Sequence, residues 1–175
     1  YKRQAKGFAI DKVYKFLEEQ QNIKSFFIEI GGEIRSTSLK SNDQPWKAGI
    51  VNPSDQDKII YTFLSSSFDS FALATSGDYR NIRILDEKEF SHTMNTFSGL
   101  PSSFSKKSVT VISESAMKAD ALATALNAMK LEQAINYSNK EGIKALFITE
   151  IEGQTKLLFS DAVSYTHLRA HETTL

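Results

Sequence analysis

Apolar residues at Ile10, Val13, Tyr14 and Leu17 recur at helical spacing, so residues 6–21 are expected to form a helix with one buried stripe. The next apolar run, Ser25 to Ile30, has the length and composition of a buried strand and ends in Gly31-Gly32. Further strands fall at 46–51, 58–64, 71–75, 81–85 and 108–112, bounded by Pro, Asp, Ser and Gly clusters. Two helices follow at about 115–129 and 131–140. A terminal hairpin then pairs 145–151 with 155–159 around a turn at Glu152-Gly153. The stretch from Ser36 to Pro45, rich in Ser, Asn and Asp, is expected to be a flexible insertion. No internal repeat or low-complexity segment breaks the pattern, which describes one α/β domain.

Composition narrows the chemistry. At 175 residues and 41% hydrophobic content, the chain has material for one domain with a sizeable core. Its 21 basic and 21 acidic residues are interspersed, so there is no basic stripe of the kind a phosphate backbone requires, and no nucleic-acid partner is expected. The absence of cysteine removes disulfides, thiolate zinc sites and cysteine nucleophiles, and leaves the redox compartment open. No apolar run approaches the length of a membrane-spanning helix and no signal sequence opens the chain, which is expected to be soluble as given.

Both ends look foreign to the domain. The tail from Val163 to Leu175 breaks the strand-like pattern before it and resembles adapter read-through, and Tyr1-Lys2-Arg3-Gln4 resembles the same kind of junction. Residues 1–4 and 163–175 are therefore expected to be non-native, with the domain in 5–162. The alternative is a genuine C-terminal helix placing His167 and His171 at i,i+4 as metal ligands. With the tail set aside, His92 is the one histidine left.

Candidate chemistry lies in five blocks. In the alanine-rich helix 116–126, Asp120 and Thr124 stack a carboxylate and a hydroxyl on one face. Such oxygen ligands suit a hard cation such as Mg2+; the competing reading is a solvated face, or a side chain bonding back to the helix backbone. Lys6, before Gly7 at a helix start, is either a surface lysine or a contact to phosphate or a flavin edge. Gly31-Gly32 is either a bulge bending the strand or a place of close ligand approach with Glu33 pointing into the same space. Thr75-Ser76-Gly77-Asp78 is an ordinary turn or a phosphate or ribityl cradle. His92, between Ser91 and Thr93 in a strand-like stretch, is a hydrogen-bonded structural residue or a proton acceptor.

Ala5 to Asp11, Glu29 to Arg35, Ala74 to Tyr79, Phe90 to Asn95 and Ala116 to Leu126 stand in an order and spacing that resembles the C-terminal part of the ApbE family, the FAD:protein FMN transferases. The resemblance runs from about Ala5 to about Phe159. It implies an α/β (α+β) fold, a mixed or antiparallel sheet with packed helices in a T-fold-like architecture, with the family's N-terminal part upstream of this sequence. It implies transfer of FMN from FAD to a threonine hydroxyl of a partner flavoprotein, releasing AMP. Asp120 and Thr124 would hold Mg2+, with a backbone carbonyl at Arg3, where the family usually carries a small residue. Lys6, Glu33, Ser76, Gly77, His92 and Thr93 would contact the flavin dinucleotide, and His92 would be a candidate catalytic base. The implied partners are flavoproteins of sodium-pumping and related electron-transfer complexes, at the periplasmic face of the bacterial inner membrane. Two rival functions use the same residues: a Mg2+-dependent FAD pyrophosphatase, with water in place of the hydroxyl, and a non-catalytic FAD-binding domain.

Overall fold

The computed structural model describes residues 5–68, 71–77, 82–85, 88–94, 101–103 and 108–163; for 82–85, 88–94 and 101–103 it describes the backbone alone. The elements run α1 (Ala5–Glu18), β1 (Phe27–Ile30), β2 (Glu33–Ser36), β3 (Lys47–Asn52), β4 (Asp55–Leu64), β5 (Phe71–Gly77), β6 (Ile82–Leu85), β7 (Lys88–Met94), β8 (Pro101–Ser103), β9 (Ser108–Ser113), α2 (Ala116–Ala128), α3 (Leu131–Lys140), β10 (Lys144–Ile151) and β11 (Gln154–Phe159). One six-stranded sheet has the order β1-β2-β5-β9-β10-β11. Each of its pairings is antiparallel, so of the mixed and antiparallel alternatives the antiparallel one holds.

Alternation along β5 and β9 divides two cores. Phe71, Leu73 and Ile112 point to one face, where Ala48, Ile50 and Phe63 of the β3-β4 hairpin cover them. Ala74, Val109 and Val111 point to the other, against Ala119, Ala123 and Leu126 of α2. Alanines at these positions let the α2 backbone lie close on the sheet, and α1 packs beside it through Ile10 and Ala116. A separate small sheet, β6-β7-β8, carries the strand that contains His92 and Thr93.

Three expectations change. Gly31 and Gly32, with φ of 63° and 98°, form a two-residue turn joining β1 to β2 in the register Ile30↔Glu33, and not a bulge. The sequence hid β2 because the glycine pair ends the apolar run. Val13 lies 41% exposed, as do Phe8 at 51% and Phe16 at 62%: the covered stripe of α1 runs through Gly7, Ile10, Tyr14 and Leu17, too narrow to include them. The segment after Ser36 is tied down, by the Leu39↔Pro45 bridge, by Lys40 N–H to Gln44 O, and by the Ser25 hydroxyl donating to Leu39 O. Val163, the first residue assigned to the tail, is fully buried in the core with Phe63 and Leu146; residues 164–175 lie outside the described set.

Candidate functional site

The first turn of α1 brings Lys6 over the β1-β2 turn. Its Nζ donates to Glu33 Oε1 at 2.7 Å and sits 2.7 Å from Oε2, and it reaches Gly31 O at 3.4 Å. Exposure is lopsided: the Glu33 side chain is 5% exposed and that of Lys6 47%. A carboxylate taken out of water this far is tolerated through its partner, while the half-exposed ammonium stays open to solvent on its other side. Lys6→Met is therefore expected to destabilise the chain by about 1–3 kcal/mol, the usual cost of a buried polar group that loses its partner. Lys6→Met combined with Glu33→Gln should cost less than the sum of the singles. Urea unfolding checks this, and strict additivity would show that the pair is not coupled.

The next turn of α1 holds the start of α2. Asp11 Oδ1 accepts the Ala116 N–H at 2.9 Å and Oδ2 the Met117 N–H at 3.0 Å, while Ser115 Oγ accepts Lys118 N–H at 3.2 Å. Three of the orphan donors at this helix terminus are thus satisfied. Arg35 of β2 donates to Asp11 Oδ1 and lies 3.8 Å over the Tyr14 ring. Burial raises the Tyr14 hydroxyl above its ordinary pKa, Glu18 adds to the rise, and Arg35 opposes both. Gly7, one turn before Asp11, is what permits the contact: a Cβ there would stand 2.6 Å from Ala116 O.

Asp120 follows Ala116 by one turn on the same stripe of α2 and is 7% exposed; Thr124, one turn further, is partly buried. A carboxylate and a hydroxyl on an alanine-lined helix form a hard, oxygen-only donor set, which fits Mg2+ by chemistry. Among the described residues no three His, Cys, Asp or Glu side chains cluster as a metal site, and the expected shell asks for one such side chain, the hydroxyl and a carbonyl. Ser76 and Gly77 end β5, partly buried, on a strand against which α2 packs. Thr75 is drawn into the sheet instead, its hydroxyl 2.8 Å from that of Thr110.

The described structure thus brings Lys6 and Glu33 into contact and joins them, through Gly7 and Asp11, to the helix of Asp120 and Thr124. His92 and Thr93 lie in β7, where the backbone alone is described, and the Arg3 carbonyl falls outside the described residues. A cleft of about 270 Å³ lined by Ser113, Glu114, Lys118, Glu141 and Lys144 contains none of the candidate residues. Glu114 in that cleft is held below the usual carboxylate range by its hydrogen bond to Lys118. Sequence reasoning gave no role to Asp11 or Arg35. The available signal was the i,i+4 spacing of Gly7 and Asp11, which puts a close-approach residue and an N–H acceptor on one helix face.

Fold and site together define a helix-backed antiparallel α+β domain that presents a half-exposed lysine, paired to a buried carboxylate, beside an oxygen-donor helix. Residues 4–147 match the ApbE family, and the chain belongs to it. It is 35% identical over 148 residues to the FAD:protein FMN transferase of Vibrio cholerae serotype O1, covering 85% of this chain and 43% of that relative. With the FAD:protein FMN transferase of Escherichia coli K12 it shares 31% identity over 144 residues, 82% of this chain and 40% of the relative. The chain therefore spans about two fifths of the length of these curated relatives. Among solved structures, the apo Pseudomonas stutzeri flavinyl transferase ApbE superposes with a TM-score of 0.78 at 28% identity, covering 95% of this chain and 50% of that one. The flavin transferase ApbE from Vibrio cholerae gives 0.70 at 32% identity, with 92% and 50% covered.

Proposed function

We propose that this chain is the part of an FAD:protein FMN transferase that grips the FAD pyrophosphate, and that the reaction is Mg2+-dependent transfer of FMN to a threonine hydroxyl of a target flavoprotein. The observation that carries this reading is the double hold of α1, which pairs Lys6 with buried Glu33 and, one turn on, clamps the first turn of the helix bearing Asp120 and Thr124. The names of the relatives supply the substrate class.

In the proposed reaction the threonine oxygen attacks the FMN-side phosphorus. The bond from that phosphorus to the bridging oxygen breaks, AMP leaves with the electron pair, and the hydroxyl proton passes to a base, for which His92 is the candidate. Lys6 would bind pyrophosphate oxygen with the solvent-facing side of its half-exposed ammonium, while Glu33 keeps the ammonium aimed. Ser76 and Gly77, at the end of a strand, would offer a hydroxyl and an unobstructed backbone to the phosphate or ribityl chain, and Thr93 would line the flavin side. Asp120 and Thr124, with the Arg3 carbonyl, would hold a Mg2+ whose contribution is Lewis-acid neutralisation of charge on the leaving group. The acceptor is proposed to be a flavoprotein of a sodium-pumping or related electron-transfer complex, and the setting the periplasmic face of the bacterial cell envelope.

The test grafts residues 5–159 in place of the matching segment of the Vibrio cholerae relative, beside the chain by itself, and incubates each with FAD, Mg2+ and an acceptor. Mass spectrometry is expected to show a covalent FMN adduct on the acceptor with the graft and none with the chain alone, because the relatives are more than twice its aligned length. Free FMN and AMP without adduct would establish the pyrophosphatase reading instead. Bound but unaltered FAD would establish a non-catalytic flavin-binding domain.

A further inference from the structure

Asp11 contributes to three contacts at once, all of them within the fold. Its two oxygens accept the Ala116 and Met117 amides across 105 and 106 residues of sequence, and Oδ1 also receives Arg35 from β2. Helix α2 is thereby held at its first turn by a side chain of α1. Gly7 on the same face allows the two backbones to approach, and Ala116 and Ile10 pack between the helices. A hydrogen-bonded terminus fixes the axial position of a helix more sharply than apolar packing does, because alanine surfaces slide with little loss of contact whereas N–H to carboxylate geometry does not. Asp120 and Thr124 lie four and eight residues beyond Ala116 on the same rigid element.

We infer that Asp11, oriented by Arg35, is a positioning residue that sets the place of Asp120 and Thr124 relative to Lys6 and Glu33. The inference rests on the cation reading of Asp120 and Thr124 for its consequence, and on the hydrogen bonds alone for its mechanism. Arg35 matters because it shares Oδ1 with the Ala116 amide; the guanidinium, lying over Tyr14, keeps the carboxylate from rotating off α2.

The test compares Asp11→Ala, Asp11→Asn and Phe63→Leu in the full chain, using amide hydrogen exchange and Mn2+ binding by calorimetry. Phe63 lies on the opposite face of the sheet and controls for general loss of stability. Asp11→Ala is expected to accelerate exchange at Ala116 and Met117 selectively and to weaken Mn2+ binding roughly 10- to 100-fold, the scale seen when an outer partner of a metal ligand is removed. Asp11→Asn, which keeps one acceptor oxygen, should fall between Asp11→Ala and the unsubstituted chain. Phe63→Leu should change neither selectively. Unchanged exchange at Ala116 and Met117 in Asp11→Ala, or an equal effect of Phe63→Leu on Mn2+, would overturn the inference. Failure of the unsubstituted chain to bind Mn2+ would count against the cation reading instead, and the exchange comparison would then decide the clamp.

Discussion

Asp120→Ala, placed in the graft with the Vibrio cholerae relative, is expected to abolish Mg2+-dependent FMN transfer while weakening FAD binding far less. In the proposed reaction, negative charge grows on the departing AMP oxygen as the bond to phosphorus breaks. A ligand that helps neutralise this charge is worth more in the transition state than in the ground state. Removing it should lower turnover by roughly 1,000-fold or more, the rate equivalent of several kcal/mol. Asp120 is 7% exposed on a helix that also packs against β5 and β9, so Asp120→Asn, which keeps the shape, separates charge from packing. Both variants should lose transfer, and the Asn variant should keep its unfolding midpoint. Equal losses in turnover and FAD affinity would make Asp120 a binding residue, and full transfer in chelator would dispose of the metal.

Gly7→Val is expected to cost about 2–4 kcal/mol of stability, combining overpacking between α1 and α2 with strain on the hydrogen bonds that Asp11 makes to α2. An added Cβ meets Ala116 O at 2.6 Å and Met117 Cα at 2.7 Å, both backbone atoms that no rotamer change can move aside. Gly7→Ala gives the sharper sign. Helix propensity alone would make alanine stabilising by about 1 kcal/mol, so a destabilised alanine variant reports the steric contact directly. Urea unfolding of both variants decides it; a raised midpoint for Gly7→Ala would mean that the two helices do not touch there.

Much of the local structure was legible from side-chain period. The helix at 131–140 and the terminal hairpin lie where apolar spacing and the Glu152-Gly153 turn placed them, with both turn residues at positive φ, 53° and 74°. Strand β2 was missed because Glu33-Ile34-Arg35-Ser36 has a single apolar residue, although Glu33 and Ile34 are both buried. Glu33 is buried through its ion pair with a lysine 27 residues away, a cause that a window of local sequence does not contain. Likewise, Asp11 looks like an ordinary polar residue on an amphipathic helix until α2 arrives to donate its first amides.

By itself, the sequence placed most of the helices and strands, β2 excepted, and singled out five blocks as candidates for chemistry, since backbone state follows from the spacing of apolar side chains and from glycine at turns. Tertiary structure decided the strand order β1-β2-β5-β9-β10-β11, the burial of Val163, and the joining of Lys6, Glu33 and Asp11 to the helix of Asp120. Period specifies which face of an element seeks cover, and many partners satisfy that demand equally. Close packing of the whole chain, with buried charges and helix-end amides that must each find a partner, selects one arrangement among them.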